Sequence, residues 1–363
     1  MAPMVTNFAT TDGEITDRQV TYYAERARGG VGIVIVEASA IHQAVRAFER
    51  QVGVYDDRFL PGLSLLAGAI KAEGVVTLLQ LHHAGPKINP GIGLHPVSVS
   101  PVKIREGNLP HQLSIQELKE VRRDFVAAAR RARSAGFDGV ELHAAHFYLL
   151  SASISPYSNK RNDAYGGSTM NRARLTREII EDIKGELGAG YPVWVRINGC
   201  EALEPGLDPD ESRQVAGILA GAGADAVHVS AYTLQRDRTV KTGLSIPVGG
   251  GPFKDTPPGP YLDYAKVIKD AVDVPVVAVG KLDNPMLAEK SLAQGQCDMI
   301  ALARQLLCDP YWVLKVQSDR AHEIVHCNYC ETCHRALHDG KEIYCAQNRN
   351  LYGKPSYKKH PDG

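Results

Sequence analysis

Seven short runs rich in Val, Ile and Leu recur along the chain, and longer amphipathic stretches separate them. Strands that helices cover on both faces have such nearly continuous apolar sequences, so the alternation predicts parallel strands joined by helices. The predicted strands are Gly32–Glu37, Val75–Leu81, Gly139–His143, Pro192–Asn198, Ala226–Ser230, Val274–Val279 and Asp298–Leu302. The predicted helices include Asp17–Arg28, Ser114–Ala135, Asn171–Leu187, Pro209–Ala222, Tyr261–Ala271 and Pro285–Gln294.

A closed barrel of this type needs an eighth strand. Met1–Met4 is predicted to be the end of that strand, in which case a further stretch would precede it. The rival fold is an open doubly wound sheet, but no Gly-x-Gly-x-x-Gly follows the first strand. We therefore predict an α/β fold, a (β/α)8 TIM barrel over residues 1–318, followed by a cysteine-rich segment and polar tail over residues 319–363.

Charge and hydropathy argue against two classes of partner. The 363 residues contain 41 Lys and Arg against 41 Asp and Glu, which gives no basic field for nucleic-acid binding. No run of apolar residues is long enough to cross a bilayer, and the first residues lack a basic leader with an apolar core. We expect a cytoplasmic protein that binds neither nucleic acid nor membrane.

Four of the seven cysteines are clustered near the end of the chain. They are Cys327, Cys330, Cys333 and Cys345. Clustered cysteines in a chain without secretory features favour metal over disulfides. Three closely spaced cysteines plus one are common for a 4Fe-4S cluster, whereas structural zinc sites usually pair cysteines two and two, so the cluster is favoured and zinc stays open.

Polar side chains stand at the predicted carboxyl ends of the strands, where a barrel carries its active site. They include Gln80, His143, His146, Arg196 and Arg304. Buried polar groups are costly without partners, so a polar ligand would explain so many of them.

The stretch Glu141 to Asn171, ELHAAHFYLLSASISPYSNKRNDAYGGSTMN, strongly resembles the old yellow enzyme superfamily of FMN-dependent NADH:flavin oxidoreductases. The resemblance extends from Met1 to about Asn348. Four further motifs fall where that family places flavin contacts: Met1–Met4, Gln80–Gly85, Val195-Arg196 and Ala303-Arg304. The cysteines narrow the resemblance to the branch with 2,4-dienoyl-CoA reductase, trimethylamine dehydrogenase and bile-acid enoate reductases.

The resemblance implies how FMN would be held. The implied flavin contacts are Ala2, Pro3, Met4, Val5, Ala38, Gln80, Arg196, Gly280, Lys281, Ala303 and Arg304. The amide of Gln80 would meet the pyrimidine edge, and Arg196 would stabilise the negative charge that builds near N1 and O2 on reduction. Lys281 and Arg304 would hold the phosphate at the common barrel position.

The resemblance also implies an ene-reductase. His143 and His146 would hold the carbonyl oxygen of an enone or enoyl thioester, while hydride from FMN N5 reaches the β-carbon and Tyr148 delivers the proton. Phe147 departs from the family pattern, which commonly has Gly there, and this adds bulk beside the pocket. The loops 89–108 and 232–260 are expected to shape the pocket, but they do not identify the substrate.

Larger relatives continue past the fourth cysteine into a domain that binds FAD and a nicotinamide cofactor, whereas this sequence stops at Gly363. Electrons would come from NAD(P)H directly, or through the cluster from a donor protein or a missing downstream FAD/NAD(P) domain, and we favour the cluster. Two other functions stay open, an amine dehydrogenase that passes electrons out through the cluster and a non-catalytic electron-transfer subunit. A homo-oligomer is compatible with all three.

Overall fold

The fold is given by a computed structural model that describes residues 1–105, 107–234, 252 and 254–348. Its strands are β1 (Ile33–Ala40), β2 (Val76–His82), β3 (Val97–Ser98), β4 (His111–Gln112), β5 (Gly139–Ala144), β6 (Val193–Asn198), β7 (Ala226–Ser230), β8 (Val276–Val279) and β9 (Met299–Ala301). Seven of them form one parallel sheet in the order β1-β2-β5-β6-β7-β8-β9, and β3 pairs separately with β4.

The longer helices pack against the outside of the sheet, and the described part of the chain contains eleven α-helices in all. They are α1 (Asp17–Arg28), α2 (Leu60–Lys71), α3 (Ile115–Ser134), α4 (Leu149–Ile154), α5 (Thr169–Leu187), α6 (Pro209–Gly221), α7 (Leu262–Lys269), α8 (Pro285–Ala293), α9 (Arg304–Cys308), α10 (Trp312–Gln317) and α11 (Thr332–His338). Capping residues fix where two of the longer helices begin. Thr16 forms a capping box at the amino end of α1, and Ser114 forms one at the amino end of α3.

Met1 and Ala2 join the two edges of the sheet. The nitrogen of Met1 donates to the carbonyl of Ile33 at 2.6 Å, and the Ile35 amide donates to the carbonyl of Met1 at 3.2 Å. On the other side, the amide of Ala2 donates to the carbonyl of Leu302 at 2.8 Å. These bonds connect β1 with the end of β9, and the predicted (β/α)8 barrel is confirmed.

All seven predicted sheet strands are present, with ends that differ by a few residues. The largest difference is in β1, which continues to Ala40 beyond a register irregularity between Val36 and Ser39. No helix in the described part of the chain has the length and apolarity that crossing a bilayer requires.

The segment that carries the four clustered cysteines packs against the barrel. The side chain of Gln305 accepts a hydrogen bond from the Cys327 amide and donates to the Val325 carbonyl, both at 2.9 Å. The amide of Ile343 donates to the carbonyl of Thr6 at 3.0 Å, so the segment also contacts the chain's first residues. The predicted boundary between residues 318 and 319 stays a prediction, and residues 349–363 of the polar tail lie outside the described part.

A buried carboxylate fixes the first residues of the chain against β1. Glu37 accepts hydrogen bonds from the amide and the hydroxyl of Thr6, both at 2.7 Å, and from the Gln19 side chain at 3.0 Å. The amide of Glu37 in turn donates to the Tyr23 hydroxyl at 2.9 Å. All four residues are fully buried, so this network sets the position of the segment 2–5 that precedes Thr6.

Replacing Glu37 with methionine should lower the free energy of unfolding by roughly 3 kcal/mol or more, because each buried donor left without an acceptor costs about 1–3 kcal/mol. Urea denaturation followed by circular dichroism measures the loss. Glu73→Gln is the matched control, since Glu73 forms only an exposed ion pair with Arg28 and should cost less than about 1 kcal/mol. Equal losses in the two variants would show that the Glu37 network contributes no more to the free energy of unfolding than an exposed ion pair does.

Candidate active site

A cavity of about 430 Å³ opens at the carboxyl ends of the barrel strands. Its size lies within the roughly 300–1,000 Å³ typical of small-molecule sites. Every residue that the sequence predicted to contact flavin or substrate lines it: Ala2, Pro3, Met4, Val5, Ala38, Gln80, His143, His146, Tyr148, Arg196, Gly280, Lys281, Ala303 and Arg304. The fold therefore gathers into one cavity residues that are widely separated in sequence.

One wall is held by a buried hydrogen-bond chain. Glu141 of β5 accepts from the Gln80 amide nitrogen at 2.7 Å and lies 2.8 Å from Nδ1 of His228. Because one carboxylate binds both side chains, it fixes the orientation of the Gln80 amide at the cavity wall.

Arg196 lies beside these hydrogen-bonded side chains, and part of its own hydrogen-bond donor capacity is unused. Burial lowers the pKa of its guanidinium, and the Glu141 carboxylate raises it. Its Nη2 donates weakly to Ser230 at 3.4 Å, while its buried Nε finds no partner among the described residues. A buried donor without an acceptor is costly, so Arg196 fits the acceptor-rich edge of a flavin ring.

Two cations stand at the ends of β8 and β9. Lys281 Nζ donates to the carbonyls of Thr256 at 2.5 Å and Lys254 at 3.0 Å, and Arg304 donates to the carbonyl of Pro252 at 2.6 Å. Beside them Gly280 has φ +112°, and a Cβ there would lie 2.8 Å from the Tyr261 ring. The close approach of backbone at Gly280 and the paired cations fit a phosphate group at this end.

Tyr329 belongs to the cysteine-rich segment, yet it lines the same cavity. The centroid of its ring lies 4.6 Å from Lys281 Nζ and 4.8 Å from Arg304 Cζ, within the range of cation–π contacts. Its hydroxyl donates to Asp283. Sequence reasoning missed Tyr329, because nothing in its neighbourhood indicates that the segment folds back over the barrel mouth.

Three aromatic side chains predicted to act on substrate meet at the opposite side of the cavity. The His143 ring centroid lies 5.1 Å from that of His146 and 4.8 Å from that of Tyr148. Burial lowers the pKa of both histidines well below the usual value, and His146 lowers that of His143 further, as Arg196 does that of His146. Both imidazoles are therefore neutral at neutral pH, and Tyr148, whose pKa burial raises, keeps its proton.

His146 and Phe147 have left-handed backbone, with φ of 62° and 56°. For a bulky side chain this conformation costs on the order of 1–3 kcal/mol, which explains why a glycine suits the position of Phe147. The Phe147 side chain is buried and does not line the cavity. It packs against Tyr232, with ring centroids 5.7 Å apart, and Tyr232 forms the cavity wall, so Phe147 affects the pocket through Tyr232.

Lys87 and Arg105 also line the cavity: sequence reasoning missed Lys87, whereas Arg105 belongs to the loop 89–108 that was expected to shape the pocket. Lys87 Nζ donates to the Tyr232 hydroxyl at 2.7 Å and to the carbonyl of His146 at 2.9 Å. No motif marks either residue, since Lys87 ends the short 3-10 helix Gly85–Lys87 that follows β2 and Arg105 lies in an irregular segment after β3. Of the loop 232–260, expected to shape the pocket, residues 235–251 and 253 lie outside the described part.

The four clustered cysteines line one small recess together with Arg304 and Tyr329. The thiol of Cys308, which lies outside the cluster of four, hydrogen-bonds Cys345 and lowers the pKa of that thiol. Within the described residues, no three or more His, Cys, Asp and Glu side chains are arranged around a single metal ion. A 4Fe-4S cluster binds each thiolate at a different iron, which requires a wider spacing of sulfurs, and it stays a prediction.

Comparison with known proteins identifies relatives over most of the chain. The model of the NADH:flavin oxidoreductase / NADH oxidase family matches residues 1–323. An NADH oxidase from Thermoanaerobacter brockii is 38% identical over 334 residues, which cover 91% of this chain and 50% of that protein.

Two solved structures have the same fold. A 2-naphthoyl-CoA reductase in complex with 2-naphthoyl-CoA matches with a TM-score of 0.88 and 28% identity, covering 96% of this chain and 54% of that one. A histamine dehydrogenase from Rhizobium sp. 4-9 matches with a TM-score of 0.85 and 25% identity, covering 97% and 50%. The chain thus spans about half the length of each of these relatives, and the resemblance to the old yellow enzyme superfamily and its iron–sulfur branch is confirmed.

Substituting Gly280 by alanine should destabilise the protein by roughly 1–3 kcal/mol and weaken flavin binding, because the new Cβ would strain a left-handed backbone and displace the Tyr261 ring. Urea denaturation and titration with FMN, followed by quenching of flavin fluorescence, measure the two effects. Gly190→Ala is the control, since a Cβ there meets nothing within 4 Å. Unchanged FMN affinity in the Gly280 variant would contradict a flavin contact at this strand end.

Proposed function

We propose an activity from the premise that this chain belongs to the NADH:flavin oxidoreductase / NADH oxidase family and is therefore a flavin oxidoreductase. We propose FMN as its flavin and reduction of the C=C bond of an α,β-unsaturated carbonyl compound or enoyl thioester as its reaction. The observation that carries this proposal is the group of two neutral imidazoles and one protonated phenol in the cavity that also holds Gln80 and Arg196.

His143 and His146 are proposed to bind the substrate carbonyl oxygen. A neutral imidazole can donate one hydrogen bond without repelling other cations, and two such donors polarise a conjugated C=C toward addition at the β-carbon. His146 Nε2 lies 2.7 Å from the Ser230 hydroxyl, which can hold its ring in place but also occupies that nitrogen. The substrate would then receive its hydrogen bond from Nδ1 of His146, or from Nε2 after the Ser230 hydroxyl rotates away.

Tyr148 is proposed to protonate the α-carbon. Its ring packs edge-on against His82 and His143, with centroids 4.2 and 4.8 Å away, so its position is fixed. A phenol that keeps its proton at neutral pH is a competent acid toward a carbon that becomes enolate-like.

FMN, when bound, would supply the hydride equivalent that the substrate accepts. Gln80 would hydrogen-bond its pyrimidine edge, Arg196 would place positive charge near N1 and O2, and Lys281 with Arg304 would pair with its phosphate. Segment 2–5 and Ala38, Gly280 and Ala303 would contact it through the backbone. The unused Nε of Arg196 and the tight backbone at Gly280 support these assignments.

Cys327, Cys330, Cys333 and Cys345 are proposed to ligate a 4Fe-4S cluster that passes electrons to the flavin from NAD(P)H oxidised elsewhere, by a donor protein or a further domain. Arg304 and Tyr329 support this route, because each lines both the cysteine recess and the flavin cavity. Direct reduction by NAD(P)H is the competing route.

An amine dehydrogenase is the second candidate. The likeness to a histamine dehydrogenase and the aromatic wall formed by Tyr148 and Tyr232 favour it. The ammonium group of Lys87 counts against it, because it lies 5.0 Å from the Tyr148 ring centroid and 4.1 Å from that of Tyr232, where it would repel a protonated amine.

Tyr148→Phe should retain FMN and remain reducible, but slow the reduction of enones about a hundredfold to ten-thousandfold, because it removes the proton donor alone. Anaerobic reoxidation of the photoreduced flavin by a panel of enones measures the rate. Tyr55→Phe is the control, since the Tyr55 hydroxyl makes only an exposed contact with the Asp12 carbonyl. Unchanged reoxidation would remove Tyr148 from the reaction, and flavin reduction by amines without reoxidation by enones would favour the second candidate.

Cys330→Ser should abolish iron binding and the brown absorbance of a cluster, because only three of the four thiolate ligands remain. FMN should stay bound. Iron analysis and spectra of anaerobically purified protein measure this, with Cys297→Ala as the control at a buried cysteine outside the recess. If the cluster route is right, enones reoxidise the photoreduced flavin of the Cys330 variant at the normal rate, but a donor protein no longer reduces that flavin. A colourless protein that contains zinc would overturn the cluster assignment.

A further inference from the structure

We propose that Lys87 and Arg105 form an anion-binding subsite that recognises a carboxylate on the substrate, so that the site favours α,β-unsaturated carboxylates over neutral enones. The inference rests on the proposed reductase function and specifies the class of its substrate. It concerns two residues that no motif of the sequence marks.

Lys87 lies directly beside the groups proposed to act on substrate. Its Nζ donates to the backbone carbonyl of His146 and to the Tyr232 hydroxyl, and both tyrosine rings of the aromatic wall lie within 5.0 Å of it. An ammonium group has three protons, so these two bonds leave one for a ligand in the cavity. Tyr148 and Lys87 thus face the same small volume.

The positive charge in this volume has no counter-charge in the described part of the chain. Among the described residues no carboxylate contributes to the electrostatics of Lys87 or Arg105, and the guanidinium of Arg105 donates to the Ile88 carbonyl. The charged or polarisable neighbours of Lys87 are instead Arg105 and Tyr148, and the histidines around it are neutral. Lys87 is half-buried, and its two hydrogen bonds go to neutral groups, so a bound carboxylate would supply the counter-charge that its ammonium group lacks among the described residues.

Burial lowers the pKa of Lys87 to about 8, and Arg105 lowers it further while Tyr148 raises it. Lys87 is therefore mostly protonated at neutral pH when the cavity is empty. An anion beside it would raise the pKa and complete its protonation.

Negative charge develops on the substrate during enoate reduction, and the two cations would stabilise it. Reduced FMN, when bound, would supply the hydride for a C–H bond at the β-carbon and would itself be oxidised, while the π electrons shift toward the carboxylate. Tyr148 would give its proton to the α-carbon, which yields a saturated carboxylate, and solvent would return a proton to Tyr148. Because the carboxylate is already anionic, the added negative charge needs more stabilisation than in a neutral enone, and nearby cations supply it.

The test uses substrate pairs that differ only in charge, namely acrylate with acrylamide, crotonate with crotonamide, and cinnamate with cinnamamide. Binding to the oxidised holoenzyme is measured from flavin difference spectra, and reduction from anaerobic reoxidation of the photoreduced flavin. For the wild type we expect tighter binding and higher kcat/KM for at least one carboxylate than for its amide.

Lys87→Met should weaken binding of the carboxylate about tenfold to a hundredfold and binding of the amide much less, as expected for loss of one charge-assisted hydrogen bond. Lys87→Arg should restore much of the preference, which also shows that the cavity still folds. Lys119→Met, at an exposed position of α3, is the control.

Two results would overturn the subsite: wild-type protein that binds and reduces amides as well as carboxylates, or a Lys87→Met variant that loses both substrates equally. Failure of the proposed function gives a different result, in which no member of any pair reoxidises the flavin. In that case the binding spectra still decide the subsite, because a charge preference that Lys87→Met abolishes supports it and an absent preference refutes it.

Discussion

A single buried carboxylate organises the interior of this barrel. Glu141 on β5 binds Gln80 on β2 and His228 on β7, and it also influences Arg196 on β6. The Gln80 amide and the His228 ring are therefore oriented by the same side chain, and hydrogen bonds within the barrel fix this part of the cavity wall.

Residues of the cysteine-rich segment form part of the cavity wall. Tyr329 stacks on Lys281 and Arg304, and residues of α11 line the cavity mouth, so the segment closes one side of the site. Arg304 contacts both the cavity and the cysteine recess. Two redox groups placed in these neighbouring volumes would be separated by only one layer of side chains, which is the arrangement that electron transfer through the segment needs.

Much of the fold and of the site could be predicted from the sequence. The seven sheet strands follow from apolar runs that only strands buried on both faces have, and residues such as Gln80, His143 and Arg196 follow from their position at strand ends. Lys87 and Tyr329 could not be found in this way, and Arg105 could be assigned only to a pocket loop, because contacts with distant parts of the chain set the paths of these connecting segments.

The sequence by itself determined the barrel, the grouping of polar side chains at one end of it, and the cysteine spacing, because periodicity and strand polarity are local properties of the chain. Only the tertiary structure decided the charge and the shape of the cavity. Burial makes His143 and His146 neutral, and leaves Lys87 as a cation without a described carboxylate partner. It also places Phe147 behind Tyr232 rather than in the pocket. These outcomes depend on desolvation and on packing between segments far apart in sequence, and no local pattern encodes them.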